Sequence, residues 1–124
     1  FTMSDKLKKM WSDQETFMKL LQLKRNFPEF PVDLSSKNGQ RLIKEMANEG
    51  IHELVEAVQL LKNSKSHRAT NVSEFELDDF IEEVCDVQKY IYEILILAGV
   101  SVEQFFEVFE MKTIKNTRRI NEGY

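Results

Sequence analysis

The chain has 124 residues, 42% of them hydrophobic and 31% charged, with a formal net charge of −4. That size and apolar content suit one domain, residues 1–124, with a small core, and the acid excess excludes the basic footprint of a nucleic-acid binder. The single cysteine, Cys85, excludes both a disulfide framework and a thiolate zinc site; a reducing, cytoplasmic setting fits it, or the host cytoplasm for a viral chain.

The start SDKLKK is not followed by a secretory apolar region, and the longest apolar stretch, residues 94–100, is too short to cross a bilayer, so no membrane partner is expected. Phe1 and Thr2 precede Met3 and are left aside as expression remnants. The pattern downstream is helical throughout, with four glycines and two prolines. Ser12 with Glu15 reads as a capping box opening a first helix over residues 13–27, which Pro28 stops. PEFPVDLSS is a loop, and a second helix follows over residues 37–63. NSKSHRATNV is a polar connection; Ser73 with Glu76 then caps a third helix over residues 74–98, ended by Gly99. Ser101 with Gln104 opens a fourth helix over residues 102–121. The third helix carries apolar residues around most of its circumference, which predicts a subunit contact and hence a homo-oligomer.

At helical periodicity, Leu42, Met46, Glu49, Glu53, Glu56, Ala57 and Leu60 share one stripe of the second helix, so acids occupy the middle of an apolar face. The third helix repeats this with Asp79, Glu83, Asp86, Val87, Tyr90, Ile94 and Leu97. If the two helices pack antiparallel, Glu53 and Glu56 face Glu83 and Asp86. Four anions in a low-dielectric groove repel unless a cation sits among them, and all-oxygen ligation selects a hard ion, Mg2+ with Mn2+ as substitute. Glu49 is an additional candidate ligand; Glu82 faces solvent. HELVE is not the HExxH zinc motif, and neither His52 nor His67 is spaced for a di-iron centre.

On the fourth helix Phe105, Phe109, Lys112, Asn116 and Arg119 form a stripe that is apolar first and basic last. Two readings stay open: phosphate contacts, or cations that complement the helix C-terminal dipole.

Taken together, ELVE at 53–56, EVCD at 83–86 after 26 intervening residues, and KTIKNTRRINEGY at 112–124 resemble the all-α nucleoside triphosphate pyrophosphohydrolases, which include MazG-like enzymes and dimeric dUTPases. The resemblance implies a four-to-five-helix bundle assembled as a homodimer or homotetramer, with Mg2+ held by Glu53, Glu56, Glu83 and Asp86. It implies hydrolysis of a nucleoside triphosphate between the α- and β-phosphates, giving a monophosphate and pyrophosphate. Lys112, Asn116, Arg119 and Tyr124 would contact phosphates, and Glu53 or a neighbouring acid would orient the attacking water. Gln22 is similar in place to an amide used near the base, Gln14 is a second candidate, and Trp11 a candidate for stacking. dUTP is the favoured substrate, with dCTP or a purine nucleotide as alternatives, because LLKNSKSHR follows where the dUTPase branch often shows tryptophans with lysine. From a different class, the same helices would serve as a non-catalytic interaction module with solvated acids.

Overall fold

The computed structural model describes residues 3–71 and 76–123. Among the described residues the protein is all-helical, with α1 (Met3–Lys24), α2 (Lys37–Gln59), α3 (Leu77–Leu97) and α4 (Val102–Asn121) in chain order. They fall into two compact units, Phe1–Pro31 with Leu95–Tyr124, and Val32–Ile94.

In the first unit α1 packs against α4. Trp11, Gln14 and Met18, spaced three and four residues apart, bury one face of α1, and Ile96 and Leu97 at the end of α3 are buried too. The Trp11 indole meets the Phe105 ring at 5.5 Å, and Phe105 meets Phe109 edge-on at 6.2 Å. The helix thus starts ten residues before the expected position. Ser12 lies inside it rather than at its cap, and the Lys9–Asp13 ion pair, 2.9 Å, spans the expected boundary. The physical reason is that good helix formers precede Ser12 and Trp11 anchors them in the core. The helix ends at Lys24, short of residue 27, and the Gln22 amide donates to the Pro28 carbonyl at 3.0 Å, tying the outgoing loop to the last turn.

Gly99 ends α3 as expected. At φ +80 it lets its own N–H reach Ile96 O at 3.0 Å and the Val100 N–H reach Leu95 O at 2.9 Å, which closes the helix with reversed hydrogen bonds. The Ser101 hydroxyl then accepts from the Gln104 N–H at 3.1 Å, and α4 has the bounds read from the sequence. The box at Ser73 lies outside the described residues, as does the expected start of the third helix at residue 74.

In the second unit Ser36 caps α2: its hydroxyl accepts from the Gly39 N–H at 2.9 Å and donates to Asp33 O at 2.7 Å. Ser35 donates to the Asp33 carboxylate from both N–H and hydroxyl, which holds that carboxyl below its ordinary range. The turn is tight enough that a Cβ on Gly39 would stand 2.0 Å from Asp33 O. α2 ends at Gln59 rather than residue 63, with Leu60 and Leu61 bonding back to Ala57 and Val58 and Asn63 turning to φ +61. Asparagine tolerates that conformation better than most residues, and its side chain then donates to Asn71 O at 2.9 Å. Gly39→Ala is therefore expected to destabilise the protein by about 1–3 kcal/mol through overpacking against backbone, measured as a lower urea midpoint with unchanged slope.

Candidate acidic site between α2 and α3

Gly50 of α2 is buried, and a Cβ built there would come 3.0 Å from Cβ of Tyr90 on α3. Absence of a side chain at this position lets the two helices approach, and the acids one and two turns further along α2 meet α3 beside that contact. Glu53, Glu56 and Glu83 each offer a carboxylate oxygen, and these oxygens lie within 4.8 Å of one another. Glu53 and Glu83 are half-buried, whereas Glu56 is exposed. Oε2 of Glu83 is buried with no hydrogen-bond partner among the described residues.

Burial raises the Glu53 carboxyl above its ordinary range, reinforced by the charges of Glu56, Asp86 and Glu83. Glu83 is raised in the same way, by burial first and then by Glu56, Asp86 and Glu82. Glu56 stands close to both, one oxygen of each of the three lying within 4.8 Å of the others. No lysine or arginine among the described residues forms an ion pair with these acids. The donor set is all oxygen, close-spaced, charged and partly dehydrated, which fits a hard divalent cation.

Asp86 is half-buried one turn beyond Glu83; it is outside the group of three close oxygens, yet its charge acts on Glu53 and Glu83. Glu49 is exposed and also outside that group, and its charge is felt at Tyr90. Glu82 is exposed, as expected, and so are His52 and His67.

The residues assigned to phosphate and base belong to the first unit. Lys112 and Asn116 are exposed and Arg119 is half-buried on α4; Lys112, Lys115 and Arg118 line an open groove with Val108, Met111 and Ile114. Tyr124 is outside the described residues. Trp11 is only 5% exposed and its ring is engaged with Phe105, Gln14 is buried beside it on the same face, and the Gln22 amide is engaged by the Pro28 carbonyl.

Two further side chains of α3 stand out, Tyr90 from the expected stripe and Glu93, which the sequence pattern did not single out. Tyr90 is half-buried, and its phenol is held protonated by burial, then by the charges of Glu93, Glu49, Glu53 and Asp86. Glu93 is 4% exposed, its Oε2 has no partner among the described residues, and burial pushes its carboxyl up to about 7. The signal for Glu93 was a lone acid inside the apolar run YIYEILIL, seven residues after Asp86 and so on the same face of the helix.

Comparison of the chain with protein-family models, with curated proteins and with solved structures found no match.

A carboxyl raised in the folded state contributes stability below its unfolded value, and that contribution is lost as pH rises through the folded one. For Glu93 the window runs from about 4.5 to about 7, and Glu53 and Glu83 act in the same direction. Without metal, the thermal midpoint of the protein is expected to fall between pH 5 and pH 8, and to fall less in Glu93→Gln. Parallel midpoint-versus-pH curves for the two proteins would contradict this assignment.

Proposed function

We propose that the chain is a Mg2+-dependent nucleoside triphosphate pyrophosphohydrolase, with Mn2+ as substitute metal, cleaving between the α- and β-phosphates. One observation carries this reading: carboxylates from Glu53-x-x-Glu56 on α2 and from Glu83 on α3 converge within 4.8 Å, with a buried Glu83 oxygen left unpartnered. It also accords with the resemblance of ELVE, EVCD and KTIKNTRRINEGY to the all-α pyrophosphohydrolases. dUTP remains the substrate favoured by that resemblance, and dCTP or a purine nucleotide the nearest alternative.

In this reading Glu53, Glu56, Glu83 and Asp86 hold the ion, which when bound supplies charge neutralisation for phosphoryl oxygens and for leaving pyrophosphate. The chain's own work is to orient a water molecule and accept its proton. The water oxygen bonds to the α-phosphorus, the bond from that phosphorus to the bridging oxygen breaks, and pyrophosphate leaves with the electron pair. Glu53, or an acid beside it, takes the proton. The resemblance alone assigns Lys112, Asn116, Arg119 and Tyr124 to the phosphates.

The proposed assembly is a homodimer or homotetramer in the cytoplasm. It is supported by apolar side chains on α3 that a single chain leaves uncovered, Leu77 at 59%, Ile81 at 48% and Val84 at 40% exposure. No helix among the described residues is long and apolar enough to cross a membrane. The same uncovered side chains, with Ile51, Leu54, Val55 and Val58 on α2, favour the second reading, a non-catalytic helical interaction module.

Incubation with Mg2+ and a panel of nucleoside triphosphates is expected to yield monophosphate and pyrophosphate. Glu53→Gln should lower turnover at least ~100-fold while its circular dichroism stays unchanged. Diphosphate and orthophosphate as products would overturn the bond assignment, and no turnover of any nucleotide would favour the interaction module.

A further inference from the structure

Among the described residues Glu93 is the one buried acid, and the proposed reaction leaves it unused. It is 4% exposed, in the second unit, with Oε2 unpartnered among the described residues. A buried carboxylate oxygen is costly to leave unpaired, and no described residue supplies its partner.

Its position says where that partner would lie. Seven residues separate Asp86 from Glu93, which turns the helix to within about 20° of the same direction and advances it by about 10 Å. Tyr90, four residues after Asp86 and three before Glu93, stands between them on that face of α3. Gly50 keeps α2 pressed against Tyr90 at this level. Along α3 the order is cluster, phenol, buried acceptor.

We propose that Glu93 is the base-reading acceptor of the site, receiving a hydrogen bond from an amino-bearing nucleobase whose triphosphate lies at Glu53, Glu56 and Glu83. This rests on the pyrophosphohydrolase reading and moves its substrate from uracil toward cytosine, adenine or guanine. A carboxylate only accepts hydrogen bonds. Exocyclic amines of the amino-bearing bases donate to it without opposition, whereas the single ring N–H of uracil lies between two carbonyl oxygens that a carboxylate repels. A site with a buried acceptor discriminates strongly against a ligand that leaves it unpaired.

The test uses the intact protein at pH 8 with non-hydrolysable α,β-imido analogues of dCTP, dATP, dGTP, dUTP and dTTP, titrated calorimetrically in the presence of Mg2+. At least one amino-bearing analogue is expected to bind at least about tenfold tighter than those of dUTP and dTTP. Glu93→Gln, whose amide also donates, should narrow that ratio by improving the uracil analogue, with its melting curve confirming the fold. Equal binding of all five by the unaltered protein, or tighter binding of dUTP, overturns the inference without needing the variant. So does a folded Glu93→Gln with an unchanged ratio, which would leave Glu93 a purely structural residue. If none of the analogues binds, the pyrophosphohydrolase reading fails with it, whereas binding without base preference sinks the present inference alone.

Discussion

Mutual repulsion of the carboxylates gathered where α2 meets α3 is the constraint on which the second unit turns. Oxygens of Glu53, Glu56 and Glu83 within 4.8 Å of one another would separate in water, and in the fold they are held by a backbone contact that has nothing to do with charge. Gly50 against Tyr90 sets how closely the helices run, and the helical repeat carries the acids from that contact into one another's field. The raised proton affinity of Glu53 and Glu83 is the direct consequence. A folded arrangement that binds protons more tightly than the unfolded chain is equally one that a divalent cation stabilises.

The devices that define the helix ends are local and independent of that repulsion. Ser36 over Gly39, Gly99 with its reversed hydrogen bonds, and Ser101 with Gln104 each satisfy backbone groups that a helix terminus leaves open. Their work is to fix the helix bounds, while the spacing of residues along each helix decides which side chains share a face.

Much of this was legible in the residues. The all-helical class, the bounds of α4 and the stop at Gly99 followed from capping chemistry and period, because each signal stood beside a polar break. The convergence of Glu53, Glu56 and Glu83 followed from two stripes in phase on successive helices. The start of α1 did not, since a serine with an acid three residues on is a cap only where the chain ahead of it is not already helical. That same error left Trp11 outside the helix, and the burial of Trp11 and Gln14 is defined by packing against α4 rather than by composition. Glu93 was overlooked because a single acid in an apolar run reads as the solvated edge of a helix; its burial is decided by tertiary neighbours that no local pattern encodes.

Electron paramagnetic resonance of Mn2+ titrated into the protein addresses the cluster itself, apart from any turnover. The account predicts that the free-ion signal is depleted in stoichiometric proportion to the protein, and that Glu83→Gln, retaining its helical content, leaves the ion in solution. Depletion of the signal by the Glu83→Gln protein at the same concentrations as by the unaltered one would contradict it, since the cation would then be bound somewhere other than between α2 and α3.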